Sequence, residues 1–132
     1  MKVERNLLFT SVINKFNLEI IDAGYAIGDT SWKSKNIISP FSRLYFIESG
    51  ETTIKSGGET IVMKPENVYL VPCGHRFSWS CDNAYTKLFL HFNINKPDGY
   101  DILADLRKFF AVPLSQQEIK KQGALTLLYF SW

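Results

Sequence analysis

Glycine and proline cut the middle of this chain into short pieces. Ser49-Gly50, Gly57-Gly58, Lys64-Pro65, Pro72-Cys73-Gly74 and Asp82-Asn83 separate segments rich in β-branched and aromatic residues. The intervals are too short for helices and long enough for strands. Residues 44–48, 52–55, 60–63, 68–71, 77–81 and 86–94 therefore read as strands. Gly57-Gly58 supplies the two positive φ angles of a tight hairpin turn, and Pro65 presets the second position of another. Residues 18–25 read as an earlier strand ending at Gly24-Tyr25, and residues 29–39 as a long polar loop interrupted by Trp32 and closed by Pro40. Strands at this spacing, without alternating helices, imply a sandwich, barrel or jelly roll rather than a parallel βαβ sheet.

Beyond Lys96-Pro97-Asp98-Gly99 the pattern changes. Ile102, Leu103, Leu106, Phe109 and Phe110 share one face of a helix, which Val112-Pro113 would stop. Ser115-Gln116-Gln117-Glu118 has the form of a capping box, with Leu114 and Ile119 placed as a hydrophobic staple, so a second helix is expected from Gln116 toward Leu128 and Phe130. It has no C-cap before Trp132 and looks cut off. The expected organisation is a β-barrel with an N-terminal arm over residues 1–96, then a helical segment over 97–132 that pairs two copies of the chain.

A chain of 132 residues, 45% hydrophobic and 14% aromatic, suits one domain with one core. Its net charge of +2, without clusters of Lys or Arg beyond pairs such as Lys120-Lys121, is too weak a footprint for nucleic acid. No signal peptide is visible, and no stretch approaches the ~20 apolar residues of a membrane span. Cys73 and Cys81 lack a metal-type spacing and read as reduced thiols. These features point to the cytoplasm and give no sign of a membrane partner.

The inventory is poor for catalysis. A metal-bearing barrel needs clustered histidines and a carboxylate. This chain offers only His75 and His91, on different segments. There is no glycine-flanked serine elbow, no Gly-x-Gly-x-x-Gly and no phosphate-binding loop. No catalytic residue, metal or cofactor is assigned.

The segment Lys87-Leu88-Phe89-Leu90-His91-Phe92-Asn93-Ile94 is more informative. Strand alternation puts Leu88, Leu90, Phe92 and Ile94 on one face and Lys87, Phe89, His91 and Asn93 on the other. The first face wants a packing partner. The second is either a solvent face with one stray ring or the wall of a pocket in which rings stack and a few polar groups orient a ligand. Phe77 and Trp79 repeat the theme on the neighbouring segment, where core packing is the competing reading. Tyr25 and Trp32 precede the first hairpin, near the expected open end.

From Arg43 to Ile94 the chain resembles the cupin-type N-terminal sensor domain of AraC-family transcription regulators. The resemblance is carried by Leu44-Tyr45-Phe46-Ile47-Glu48-Ser49-Gly50-Glu51, the Gly57-Gly58 hairpin, Val68-Tyr69-Leu70-Val71-Pro72 with Gly74, and Leu90-His91-Phe92. It implies a cupin-like jelly-roll (double-stranded β-helix) barrel followed by C-terminal α-helices. It further implies a small polar effector such as a sugar, a homodimer formed through those helices, and DNA contact only through a separate C-terminal helix-turn-helix domain. The pocket side would then include Trp79, Lys87 and Phe89, with Lys35 where sugar-binding relatives carry a basic residue, and His91 on the same strand face. Many relatives have a histidine a few residues beyond the proline–glycine turn, whereas His75 follows Gly74 directly. Two alternatives remain open at this point: a stand-alone cupin enzyme (a metal-dependent isomerase or dioxygenase) and a carbohydrate-binding module.

Overall fold

The structure, a computed structural model, describes residue 11, residues 14–106 and residues 108–114. Its strands are β1 (Asn17–Gly28), β2 (Ser34–Ile37), β3 (Ser42–Ser49), β4 (Thr52–Ser56), β5 (Glu59–Met63), β6 (Asn67–Val71), β7 (Phe77–Ser80), β8 (Tyr85–Asn95) and β9 (Phe110–Pro113). They form two antiparallel sheets, one ordered β1-β8-β3-β6-β9 and the other β2-β7-β4-β5. The chain passes from one sheet to the other repeatedly, so neighbours in sequence end up on opposite walls of one interior. Among the described residues no helix is long and apolar enough to cross a membrane.

The turn chemistry explains the hairpin between β4 and β5. Gly57 and Gly58 have φ of 56° and 81°, and Ser56 pairs with Glu59 across the turn. On the larger sheet the pairing register sorts the faces. Arg43, Tyr45 and Ile47 on β3 lie opposite His91, Phe89 and Lys87 on β8, and all six point inward. Leu88 and Leu90 face outward, as the alternation predicts.

One end of the interior is packed solid. Ile54 and Met63 from the smaller sheet meet Tyr69 and Val71 from the larger one, and Phe77 and Phe109 close the cluster. The apolar gap bordered by Ile61, Met63 and Phe109 is too narrow to admit a water molecule. Tyr69 is buried with its hydroxyl accepting from the Lys64 backbone N–H at 3.0 Å, so its polar end is satisfied.

Two expectations are corrected. Residues 29–39 are not all loop, because Ser34–Ile37 pairs with β7 as an edge strand. Its alternation is broken by Asn36 at φ 55°, which lets Ser34 and Ile37, three residues apart, pair with Trp79 and Phe77. The helix expected over residues 102–110 is also absent. Residues 101–105 form turns pinned by Asp101, whose carboxylate accepts from the backbone N–H of Ile94 at 3.2 Å and of Leu103 at 2.8 Å. Residues Phe110–Pro113 pair with β6. The helix-like apolar spacing arises because Phe109 is a plug for the packed end and Phe110 a strand residue beside it. The capping box, the second helix and most of the arm lie outside the described residues.

Candidate functional site

The same packed cluster includes Tyr45, with Trp79 and Phe89 resting against it, and there it meets a charge. Lys87, on β8, is buried, and its Nζ lies 4.0 Å from the Tyr45 ring centre, 4.4 Å from that of Trp79 and 5.5 Å from that of Tyr85. Three strands supply these rings: β3, β7 and β8. Gly28 makes room for one of them, since a Cβ there would stand 2.2 Å from Tyr85 Cε1. Gly24 does the same for Phe89, whose Cζ is 2.9 Å from the ideal Cβ position. Trp32, in the loop before β2, packs edge-on against Trp79 at 5.7 Å and Tyr85 at 6.3 Å between ring centres. It remains 39% exposed and so lies between this cage and solvent.

Farther along β8, His91 stacks on Phe41 at 4.7 Å and tilts against Phe89 at 4.9 Å. Arg43 reaches across the same region, its guanidinium 5.1 Å from the Phe41 ring and 5.4 Å from the Phe77 ring. Its Nη1 donates to the Tyr45 hydroxyl at 2.9 Å and its Nη2 to Ser39 Oγ at 2.6 Å.

The electrostatics follow from this burial. Loss of hydration pushes the Lys87 ammonium down to about 7, with repulsion from Arg43 adding to it. His91 is pushed down to about 4, again by burial first and then by Arg43, against the pull of Asp22. Burial raises Tyr85 and Tyr45 above the usual phenol range. Among the described residues, Lys87 has no carboxylate partner and no hydrogen-bond acceptor. Trp79 Nε1, Tyr85 OH and Arg43 Nε are likewise buried without a partner. Unpaired buried donors are uncommon and costly, and these three, close to a buried ammonium, call for an explanation.

The residues expected at a site thus divide. Lys87, Phe89 and His91 lie along β8 in the larger sheet, and Trp79, on β7 of the smaller sheet, faces Lys87 with Trp32 packed beside it. Phe77 lies beside them but belongs mainly to the packed core, edge-on to Phe109 at 6.1 Å. Tyr25 pairs with Leu88 and so lies on the outer face of the sheet, where its hydroxyl donates to Glu48 Oε1 at 2.8 Å. Lys35 is exposed, next to Ser34, on the side of β2 away from Trp79. Sequence reasoning missed Tyr45, Tyr85 and Arg43. Extending the β8 alternation one pair toward the N-terminus would have found Tyr85.

A concavity of about 620 Å³ lies against the β4–β5 hairpin, lined by Lys55, Ser56, Glu59, His75 and Arg76 among others. Ser56 Oγ is 2.9 Å from His75 Nε2 and donates to the Arg76 carbonyl at 2.6 Å. With its proton committed to that carbonyl, Ser56 receives the Nε2 proton instead of giving one up, the reverse of an activated nucleophile. Both cysteines are free and buried, and burial raises their thiols.

No family model and no curated protein matches the chain. Among solved structures it is similar to an apo variant of ToxT from Vibrio cholerae, with 10% identity and a TM-score of 0.53 over 86% of this chain and 46% of that one. Wild-type ToxT bound to unsaturated fatty acid gives 14% identity and a TM-score of 0.50 over the same shares, 86% and 46%. YhaK from Escherichia coli gives 15% identity and a TM-score of 0.51 over 74% of this chain and 44% of that one. The chain spans less than half the length of these proteins. At such identities the likeness establishes the fold alone, and that fold is cupin-like.

Proposed function

We propose that this chain is the effector-sensing domain of an AraC-type transcription regulator, acting by binding and not by catalysis. In this reading a small polar molecule enters at the Trp32 end and is held against Trp79 and Lys87. Occupancy then biases the arrangement of two paired copies, and through them a separate DNA-binding domain. Pairing is assigned to the segment beyond Pro113, and the whole protein to the cytoplasm.

The observation that carries the reading is the caged Lys87. A folding core gains nothing from a buried ammonium without a counter-charge, so its retention suggests a task. The sequence resemblance supplies the class of task. Support for a small-molecule occupant comes from ToxT, a protein of similar fold solved with unsaturated fatty acid bound. A sugar, the effector class the resemblance brings forward, would stack either on the exposed Trp32 or on the Trp79 face that Lys87 now covers.

Calorimetry of the full chain against a panel of sugars, sugar acids and small organic acids tests the reading. A ligand whose affinity falls at least about tenfold in Trp79→Ala supports it. Ligands that bind wild type and Trp79→Ala alike would remove the interior from consideration.

A further inference from the structure

We infer that the molecule held at Lys87 carries a carboxylate, and that the Lys87 ammonium and the Trp79 Nε1–H are the groups that donate to it. This inference rests on the sensing reading and narrows its ligand class.

The argument is one of donor count and charge. An ammonium offers three donors and no acceptor, and an indole N–H offers one donor and no acceptor. The ammonium stands over the Trp79 ring at 4.4 Å, and the Trp79 N–H is buried without a partner, whereas the Tyr85 hydroxyl is turned toward Gly28 on the other side of β8. A neutral sugar hydroxyl brings a proton along with its lone pairs, and this cage has little to receive that proton. A carboxylate brings only acceptors, about four lone-pair sites on two oxygens.

Charge points the same way. Around Lys87, β3 contributes Arg43, Tyr45 and Ile47, β7 contributes Trp79, and β8 contributes Tyr85 and His91. Cys81 is the nearby thiol, held protonated by burial. Two cations, Lys87 and Arg43, therefore share this region with no buried anion among the described residues. A single negative charge at Lys87 would return its proton and convert a repulsive interior into a paired one. Arg43 is committed to the Tyr45 hydroxyl and Ser39 Oγ, which leaves one uncommitted cation, Lys87, and a single negative charge to match it.

The test is lysine-resolved NMR on the full chain, with sodium benzoate and sodium octanoate as probes, each compared with its uncharged amide, and inorganic phosphate as a third arm. Binding of a carboxylate should raise the Lys87 pKa by about one unit or more and should be about tenfold tighter than binding of its amide. In Lys87→Met that acid-over-amide preference should vanish.

Equal binding of acid and amide would overturn the inference, as would a preference retained in Lys87→Met. So would a Lys87 pKa already near ten in the free chain, since an acid of the chain itself would then occupy the cage. Phosphate alone shifting Lys87 would assign the cage to an inorganic oxyanion and overturn the organic-acid inference. A neutral sugar that binds in a Trp79-dependent way without moving Lys87 would overturn the inference while leaving the sensing reading intact. The wild-type titration stands on its own if the variant fails to fold.

Discussion

The ammonium of Lys87 sits 4.0 Å from the centre of the Tyr45 ring, on the strand next to its own, and finds no anion there. Attraction by ring quadrupoles offsets part of its lost hydration, about 2 kcal/mol for a desolvated contact, against a penalty of several kcal/mol. The imbalance makes this residue a measurable liability in the folded protein.

The liability has a pH signature. The folded Lys87 is depressed to about 7, while an unfolded lysine titrates near its ordinary value. Between those limits the unfolded chain binds the extra proton, so stability rises with pH. Urea midpoints should increase from pH 7 to about pH 8.5, by an amount worth about 1 kcal/mol. Above that the raised thiols and phenols reverse the trend, because the unfolded chain loses protons that the folded one keeps. His91, depressed to about 4, adds a second rise from about pH 4 to pH 6.5.

Removing the charge should stabilise the fold. Lys87→Met fills a similar volume without an ammonium, and replacing buried ionic groups by apolar ones gains about 1–4 kcal/mol in favourable cases. The variant is expected to unfold at higher urea than wild type at pH 7 and to lose the slope between pH 7 and 8.5. A lower midpoint would mean that the lysine already has a partner.

Gly28 is the spacer that seats Tyr85. A Cβ at 2.2 Å from Cε1 forces the ring or the strand to move, so Gly28→Ala should cost about 1–3 kcal/mol. Displacing Tyr85 also opens the cage to water, so the same variant should raise the Lys87 pKa. Gly24→Ala meets only the tip of Phe89 and should cost less. Thermal unfolding of the two variants side by side checks the ordering.

Much of the site was legible in the chain because strand alternation survives wherever a strand is paired on both sides. On β8, flanked by β1 and β3, Lys87, Phe89 and His91 fall on one face as their spacing says. Edge strands and irregular turns were not legible. Asn36 at positive φ breaks the period of β2, so a strand reads as loop and Lys35 is sent outward. Arg43 and Tyr45 were hidden because the run Leu44-Tyr45-Phe46-Ile47 is apolar on both faces and carries no signal about which side is inside. The apparent helix near Phe109 shows the limit of periodicity over a short window, where a plug and a strand together imitate a helical face.

Phe109 therefore provides a test of the packed end. It is 8% exposed and joins Phe77 and His75 through ring edges. Phe109→Ala should cost about 3–5 kcal/mol in urea unfolding, the range for a buried ring. A residue on a solvated helix would cost well under that, so a small effect would contradict the strand-and-plug arrangement.

The most direct measurement is an NMR perturbation map of the full chain with a ligand identified in the calorimetric panel. The account predicts the largest shifts at Lys87, the Trp79 indole and Tyr85, with Trp32 following. Shifts confined to the Ser56–His75 concavity, with the cage unmoved, would contradict it.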